Sequence, residues 1–414
     1  MAECENLNQT PQMESIRELL RVGPGPSSSH TIGPYRAALL FRHGLAHERV
    51  RSVVVTLMGS LALTGKGHGT DSIIRKALEG LNPKVVFDFE TRCQHPNTVY
   101  FEATLEDGAV IRKGFESIGG GAIKPVGRPY LPQIVYPFSS FDGLKRWMKD
   151  NREKDIYHVI ERFEGSSIFD FGSQMLQQSF DTLAMALRQD GVLPGRLHVQ
   201  SVAKRMYETA LQLPKSSGRR TMLISSFAYA VSEANARGEK IVTAPTCGAA
   251  GVVPAVLYYQ YTECGKSFPE LVRAFLVGAL VCTFAKEEAG ISGAVLGCQA
   301  EIGSAAAFAA ASLCYLDGLS LLQIEYGAEV AMEHFLGLTC DPVDGYVQIP
   351  CIERNGMASI HAYTAYLYAK FIAPYKKAKV SFDDVLHAMK ETGEKMSKEL
   401  RETGIGGLAR VVKY

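Results

Sequence analysis

The chain has 414 residues, of which 46% are hydrophobic and 21% charged, and this length and composition are typical of a globular protein with two hydrophobic cores. Its 44 basic and 43 acidic side chains leave a formal net charge of +1, which excludes the basic surface of a typical nucleic-acid-binding protein and a polybasic membrane anchor. The N-terminal stretch MAECENLNQTPQMES lacks the apolar segment of a signal peptide. We therefore expect the nine cysteines to lie in a reducing cytoplasm, where metal binding and catalysis are more common than disulfides.

The first part of the chain alternates strand-like and helical stretches. Runs rich in β-branched and aromatic residues predict strands at RVRSVVVTLM (49–58), KVVFDFETR (84–92), TVYFEATL (98–105), AVIRKGFESI (109–118) and PQIVYPF (132–138). An Asp107-Gly108 turn between the third and fourth runs predicts a hairpin. Because helical stretches near 32–45 and 70–81 separate other strands, we predict an α+β domain with a mixed sheet over residues 1–150.

From about Ile156 the pattern becomes almost wholly helical. Segments 169–189, 201–213 and 221–237 carry apolar residues at helical spacing. The two richest apolar runs, 274–285 and 304–316, are shorter than a membrane span and predict buried helices. The charged run 145–155 is predicted as a helix that joins this part to the first domain. We predict an all-α domain over residues 151–414.

A loop with three serines and a histidine begins the first helix, in GPGPSSSHTIGPYRAALLF (23–41). Pro34 marks the first turn of the helix, and one serine is explained as its N-cap. The cap does not explain three serines in a row followed by His30. Since a helix N-terminus offers free N–H groups and the positive end of the dipole, we predict that this loop anchors a carboxylate substrate.

Three further loops carry polar residues. In GSLALTGKGHGTD (59–71), four glycines accompany Lys66 and His68. Their spacing fits no nucleotide-binding motif. This stretch is therefore either a plain strand–helix turn or a loop that lines a site. His95 in CQHPNTVYFEA is interpreted by default as a surface histidine in a turn. In APTCGAAGVVPAVL (244–257), Thr246 is predicted to cap the helix that follows.

Three of the cysteines differ in context from the others. Cys282 and Cys314 lie in smooth apolar runs and are interpreted as packing residues. Cys298, Cys340 and Cys351 each lie beside Gly, Pro, Gln or charged residues. No C-x-x-C pair occurs, which argues against a zinc ribbon or a ferredoxin-type cluster. From the residues alone, the three thiols pack, pair with each other or hold a metal.

Together these motifs resemble the iron–sulfur-dependent L-serine dehydratases (L-serine ammonia-lyases). The resemblance covers nearly the whole chain and rests, in order, on GPSSSHTIGP, GSLALTGKGHGTD, HPN, PTCGAAG, GCQAEIG and LTCDPVDGYVQIPCIERN. It implies an N-terminal α+β domain, akin to small effector-binding domains, joined to an all-helical catalytic domain. It also implies that Cys298, Cys340 and Cys351 hold a [4Fe–4S] cluster.

The resemblance further implies that the SSSHT loop approaches the cluster and that His95 and Asn97 belong to a regulatory site for a second serine. Three departures from the family pattern are present, of which the mildest is Ala300 in GCQAEIG, where a glycine is expected. Cys247 lies where a polar residue without a thiol is expected. No cysteine follows Cys351, so we do not expect a C-terminal thiolate to occupy the fourth iron.

Three thiolate ligands would leave one iron of the cluster with an open position. An open iron is a Lewis acid suited to the hydroxyl and carboxylate of serine, while a base within about 3 Å removes the Cα proton. The products are then pyruvate and ammonia. A pyridoxal mechanism is not favoured, because neither Lys215 nor Lys286 lies in a convincing cofactor setting. The predicted base is His30, and the predicted substrate-binding residues are Ser28, Ser29, Thr31, Thr246 and Asn355.

Other functions stay open at this point. The chain could be a non-catalytic iron–sulfur sensor of an amino acid, although a sensor has no need of the SSSH loop. The thiols could instead hold zinc, and a lyase could act on L-cysteine or L-threonine, since pocket shape discriminates among these amino acids. We expect a homodimer with a small-molecule substrate and without nucleic-acid or membrane partners.

Overall fold

The computed structural model describes residues 12–413. Its strands are β1 (Met13–Glu14), β2 (Val22–Pro24), β3 (Val50–Gly59), β4 (Lys84–Asp88), β5 (Asn97–Leu105), β6 (Val110–Gly119), β7 (Ala122–Pro125), β8 (Ile134–Tyr136) and β9 (Lys240–Val242). Five of them form one sheet in the order β4-β3-β5-β6-β7. β3 pairs with β4 in parallel, and the other neighbours pair antiparallel, so the predicted mixed sheet is confirmed.

The sheet follows from the alternation of side chains along its strands. Val53, Val55 and Leu57 of β3 point to the buried face, as the two-residue period of a strand requires. β5 and β6 form the predicted hairpin, and Gly108 adopts a φ of 87° in its turn. The second predicted strand (84–92) is too long, since β4 ends at Asp88. It ends there because the Asp88 carboxylate accepts hydrogen bonds from the following backbone N–H groups, which form a turn.

Helices cover one face of this sheet and form the rest of the molecule. They are α1 (Gly33–His43), α2 (Ser60–Thr64), α3 (Thr70–Ala77), α4 (Phe141–Asp150), α5 (Ile156–Glu164), α6 (Ser167–Ala186), α7 (Ala203–Gln212), α8 (Ser217–Ala236), α9 (Val252–Glu263), α10 (Phe268–Glu288), α11 (Gly293–Leu296), α12 (Ser304–Leu316), α13 (Leu321–Glu333), α14 (Cys351–Phe371), α15 (Phe382–Lys395) and α16 (Leu408–Val411). The predicted helical character beyond Ile156 is confirmed, with the short β9 as an interruption.

Helices α10 and α12 form the centre of the helical part. Small residues allow the two helices to approach closely, since a Cβ at Gly278 would lie 2.4 Å from the Phe308 carbonyl oxygen. α10 is longer than the predicted apolar run, because a capping box of Ser267 and Glu270 begins it earlier. It is the one helix of residues 12–413 that is long and apolar enough to cross a membrane by composition, but 78% of its apolar window is buried inside the protein. It is therefore built as a core helix.

The linker between the two parts is helical over only part of the predicted run 145–155. α4 ends at Asp150, and Arg152 adopts a φ of 55°, outside the helical region. Asp155 then accepts a hydrogen bond of 2.8 Å from the Tyr157 N–H and begins α5. The prediction of one continuous helix is wrong after Asp150, because the cap at Asp155 requires an extended residue there.

The N-terminal segment lies on the helical part before it enters the sheet domain. β1 pairs with β8, and β2 pairs with β9. Met13, Ile16 and Leu19 belong to the helical core, whereas the sheet and its helices have a separate core. A domain boundary at residue 150 stays a prediction. Because β2 is attached to the helical part, the serine-rich loop that follows it lies where the two parts meet.

Candidate active site

The serine-rich loop forms one buried turn of π-helix between β2 and α1. The turn spans Ser28–Ile32, and Ser27 caps it by accepting a hydrogen bond of 3.1 Å from the His30 N–H. Thr31 uses its hydroxyl inside the protein, since Oγ1 donates to the His68 carbonyl oxygen at 2.9 Å. Ser28 is buried in the same turn. Wide turns of this kind occur frequently at functional sites.

Both ring nitrogens of His30 have hydrogen-bond partners. Nδ1 lies 2.8 Å from the Ser29 hydroxyl, and Nε2 lies 3.0 Å from the Ser60 hydroxyl. The Ser60 hydroxyl also donates to the Glu402 carbonyl oxygen at 2.9 Å, so it accepts from an Nε2–H of His30. Burial lowers the pKa of His30 well below its usual range, and the neighbouring His68 acts in the same direction, because two adjacent imidazoles disfavour protonation of either ring. His30 is therefore a neutral ring with its proton on Nε2.

His68 stacks on His30 and keeps one nitrogen free. The ring centroids lie 4.4 Å apart. Nδ1 of His68 lies 2.9 Å from the Thr64 carbonyl oxygen, so it carries the proton, and the buried Nε2 has no hydrogen-bond partner among the described residues. Burial lowers the pKa of His68 to about 4, against a smaller effect of the Thr64 carbonyl. The ring is thus neutral at neutral pH, with a lone pair on Nε2.

A carboxylate from the C-terminal part faces both histidines. Oε1 of Glu402 lies 3.5 Å from His30 Nδ1, 3.8 Å from His68 Nε2 and 3.4 Å from the Ser29 hydroxyl oxygen. Burial raises the pKa of Glu402 well above its usual range. Burial therefore disfavours the charged form of all three groups. Glu402 is not predicted from the sequence, because it lies in an ordinary charged stretch that carries no motif.

The Glu402 segment is attached to the loop of Cys340. The Cys340 N–H donates to the Leu400 carbonyl oxygen at 2.8 Å, and the Glu402 N–H donates to the Cys340 carbonyl oxygen at 2.7 Å. These bonds form a parallel bridge between Cys340 and Arg401. The histidine pair and the cysteines are thereby connected through one backbone contact.

The three cysteines come from three different elements. Cys298 precedes a second π-helical turn (Gln299–Gly303), Cys340 lies in the loop after α13, and Cys351 is the first residue of α14. The sulfur atoms of Cys298 and Cys340 and a carboxylate oxygen of Glu301 lie within 4.8 Å of one another. Contact with the Cys340 thiol lowers the pKa of Cys298, whereas burial and the charge of Cys298 raise the pKa of Cys351. Cys351 is thus within electrostatic range of the other two.

A half-buried arginine, Arg354, supplies positive charge to these thiols. Arg354 donates to the Thr339 carbonyl oxygen at 2.7 Å and to the Asp341 carboxylate at 3.0 Å. Burial opposes the charge on its guanidinium, but the acidic groups around it, Cys298, Cys351, Asp341 and Cys340, together outweigh burial and raise the pKa of Arg354. Clustered thiolates beside a fixed cation are the donor set of a soft metal ion or a metal cluster. Cys282 and Cys314, by contrast, are buried in the helical core, as predicted.

Thr246 lies beside Glu301 but does not cap a helix. It occupies the N-cap position of the short turn Cys247–Ala249, and its side chain makes no capping hydrogen bond, so that prediction is wrong. Burial raises the pKa of Glu301, and the Thr246 hydroxyl acts in the opposite direction. The buried Thr246 hydroxyl has no hydrogen-bond partner among the described residues. A substrate contact of Thr246 stays a prediction.

Asn355 connects the loop after Thr246 to α14. Its Oδ1 accepts from the Gly251 N–H at 3.0 Å, and its Nδ2 donates to the carbonyl oxygens of Gly248 at 2.7 Å and Cys351 at 2.9 Å. All of its side-chain groups are thus used by the backbone. Its predicted substrate contact stays a prediction, while the geometry gives it a structural role beside Cys351.

We expect Asn355→Ala to lower the free energy of unfolding by about 1–3 kcal/mol, because it leaves buried N–H and carbonyl groups without partners. The measurement is the midpoint of urea unfolding under anaerobic conditions. Thr364→Ala, at an exposed position of the same helix, is the control and should change the free energy by less than about 0.5 kcal/mol. Equal midpoints for both variants would contradict the structural role.

The His95–Asn97 turn lies at the start of β5. His95 is half-buried rather than a surface residue, and its Nδ1 accepts from the Asn97 N–H at 3.1 Å. Asn97 Oδ1 and Ser117 Oγ are buried and have no hydrogen-bond partner among the described residues. The Pro96 carbonyl oxygen accepts from the Ser60 N–H at 2.7 Å. A regulatory ligand at His95 and Asn97 stays a prediction.

Comparison with known proteins gives matches along nearly the whole chain. The family described as "Serine dehydratase beta chain" matches residues 15–91, and that described as "Serine dehydratase alpha chain" matches residues 154–409. The chain is 36% identical to an L-serine dehydratase of Streptomyces coelicolor, over 95% of this chain and 98% of the relative. It is 35% identical to L-serine dehydratase 1 of Escherichia coli and to an L-serine dehydratase of Helicobacter pylori, in each case over 96% of this chain and 99% of the relative.

Proposed function

The chain belongs to the serine dehydratase family, and from this premise we propose that it converts L-serine into pyruvate and ammonia at a [4Fe–4S] cluster held by Cys298, Cys340 and Cys351. The observation that carries the proposal is the convergence of thiols from separate elements beside two buried neutral histidines. The relatives are named for the same reaction over almost their full length.

The donor set fits an iron–sulfur cluster. Thiolates are its usual ligands, and Arg354 offsets their negative charge in a buried site. When bound, the cluster supplies a Lewis-acidic iron for the hydroxyl and carboxylate of the substrate. Zinc is the rival occupant, because Glu301 could complete a site with Cys298 and Cys340.

The residues of the chain supply the base for the Cα proton. A general base needs a neutral ring with a free lone pair at the proton that it removes. His68 Nε2 meets this requirement, whereas both nitrogens of His30 are occupied by serine hydroxyls. We therefore place the base at His68, with the sequence-based candidate His30 as the alternative. The C–H electron pair becomes the second Cα–Cβ bond as the Cβ–O bond breaks, and the hydroxyl group leaves as hydroxide, which the removed proton converts to water. The resulting enamine tautomerises to an imine, and water hydrolyses the imine to pyruvate and ammonia.

The serine and threonine hydroxyls hold the histidine pair. Ser29 contacts His30 Nδ1, and Thr31 donates to the backbone of His68. Their predicted direct contacts with substrate stay predictions. The burial of the whole turn excludes water from the two rings, which preserves a neutral base.

The test is the metal content and turnover of protein purified without oxygen. We expect about four iron and four sulfide per chain, as the cluster requires, and pyruvate formation from L-serine. A cluster without turnover would favour an amino-acid sensor, and colourless zinc protein would contradict the cluster. L-Threonine and L-cysteine assayed in parallel identify the preferred substrate.

A cytoplasmic homodimer completes the proposal. α14 exposes Met357, Tyr368 and Phe371, and Tyr375 follows just beyond its end. Exposed apolar residues at such spacing along one helix are typical of a contact surface. Light scattering of the purified protein measures the number of chains directly, and a monomer would contradict this part.

A further inference from the structure

We propose that Ser292 is a further substrate-binding residue, whose hydroxyl oxygen, together with that of Thr246, accepts hydrogen bonds from the ammonium group of the amino-acid substrate. The inference deepens the proposed function and rests on it, because both concern the same site. Two buried hydroxyl groups support it. Ser292 is 7% exposed and Thr246 is 1% exposed, and neither hydroxyl has a hydrogen-bond partner among residues 12–413.

Neither hydroxyl is explained by the local fold. Each residue occupies the N-cap position of a short helical turn, where Ser and Thr usually accept a hydrogen bond from the backbone, but neither side chain makes one. A buried hydroxyl without a partner lowers the stability of the folded protein, and such groups are rare in native structures. Their retention therefore indicates a polar ligand from outside the chain.

The loops that carry the two hydroxyls meet beside the predicted metal ligands. A Cβ added to Gly293, the residue after the serine, would lie 2.6 Å from Glu301 Oε2 and 3.2 Å from Cys340 Sγ. A Cβ added to Gly248, two residues after the threonine, would lie 3.5 Å from Glu301 Oε1. Both loops thus border one carboxyl group, and Gly293 leaves space beside the Cys340 sulfur that another side chain would fill.

A single turn of the sheet domain, between β6 and β7, lies against both loops. A Cβ added to Gly119 would lie 3.4 Å from Ser292 Cβ, and one added to Gly120 would lie 3.5 Å from the Pro245 carbonyl oxygen. The two glycines have φ angles of 108° and 56°, which favour glycine and let the turn approach both backbones closely. The turn therefore keeps the two loops, and with them the two hydroxyls, next to each other.

The chemistry of the substrate assigns its ammonium group to these hydroxyls. In the proposed function the hydroxyl and carboxylate of L-serine go to the metal centre, and the Cα proton goes to a histidine. The ammonium group is left, and it offers three hydrogen-bond donors and no acceptor. Two hydroxyl oxygens with free lone pairs accept two of these three hydrogen bonds. A substrate held at this third group has a fixed direction of its Cα–H bond, which proton removal requires.

The test measures binding to Ser292→Ala in anaerobic holoenzyme with two probes, by equilibrium dialysis. L-Alanine keeps the ammonium group and lacks the hydroxyl, whereas 3-hydroxypropionate keeps the hydroxyl and lacks the ammonium group. We expect the dissociation constant of L-alanine to rise about 10- to 100-fold, as for the loss of a hydrogen bond to a charged group. That of 3-hydroxypropionate should change less than about threefold, within the range of a neutral substitution. Thr246→Val, which keeps the shape of the side chain, should act in the same way as Ser292→Ala.

Ser166→Ala is the matched control, because Ser166 also occupies an N-cap position without a capping bond but is exposed. It should bind both probes as the wild type does. Urea unfolding without a probe distinguishes binding from a structural role. A hydroxyl that stabilises the fold would lower the midpoint when it is removed, whereas Ser292→Ala should leave the midpoint unchanged or raise it. Its iron content should equal that of the wild type.

Wild-type affinity for L-alanine in Ser292→Ala would overturn the inference and would assign the hydroxyl to a buried water molecule. Equal weakening of both probes would overturn it as well, because the hydroxyl would then not recognise the ammonium group. Either result, with pyruvate still formed from L-serine by the wild type, would leave the proposed function intact. The absence of pyruvate with the wild-type protein would instead overturn the proposed function, and this inference with it.

Discussion

Cys340→Ser is expected to remove the bound iron and reduce pyruvate formation by more than about 100-fold. Disturbing even an indirect support of a metal site costs about 10- to 100-fold, and Cys340 is predicted to be a direct ligand. Its sulfur lies within 4.8 Å of Cys298 Sγ, so its loss removes a neighbouring donor from Cys298. Iron and sulfide analysis with an anaerobic serine assay measures both effects.

Cys264→Ser is the matched control, because Cys264 is an exposed thiol on the surface of the helical part. It should retain full iron content and turnover. Cys298→Ser and Cys351→Ser should behave as Cys340→Ser does. A Cys340→Ser protein that keeps its iron and its activity would exclude Cys340 as a ligand and would favour a different set of donors.

The second large effect is expected from His68→Gln, which should lower kcat by about 10²- to 10⁴-fold while the iron content stays unchanged. The glutamine amide keeps the size and polarity of the ring but cannot accept a proton. Because burial lowers the pKa of His68 to about 4, the wild-type ring is unprotonated at neutral pH and ready to act as a base. Single-turnover formation of pyruvate measures the step without product release.

His30→Gln distinguishes the two histidines. If His68 is the base, His30→Gln should cost less than His68→Gln, since a glutamine can retain the contacts with Ser29 and Ser60. The reverse order, with His68→Gln nearly as active as the wild type, would assign the base to His30 as the sequence suggests. Equal and complete loss in both, with iron retained, would indicate that the pair acts as one unit.

The parts of the fold that local patterns determine were predictable from the sequence. The alternation of Val53, Val55 and Leu57 identified a strand, and the Asp107-Gly108 turn identified a hairpin. Helix ends were less predictable, because they depend on competing caps. Asp155 interrupts a charged run that otherwise suits one helix, and only the observed side-chain hydrogen bond shows it.

The site was only half predictable, for a different reason. The polar surroundings of the three cysteines and the serine run before His30 are visible within a few residues. Glu402 has no such signal, because it reaches His30 through contacts between distant parts of the chain. His68 lay in a loop that fitted a simple turn equally well. Its free Nε2 became apparent only when the hydrogen bond to Thr64 showed which nitrogen carries the proton.

The contact between Ser29 and Glu402 also determines when a newly synthesised chain can complete its catalytic centre. The two residues are separated by 373 positions, so at usual ribosome speeds Glu402 is synthesised about 20–75 s after Ser29. During this interval the nascent chain contains both histidines but lacks the carboxyl group that faces them in the folded protein. Prematurely terminated products that lack Glu402 therefore have an incomplete centre and should leave the cellular serine pool untouched.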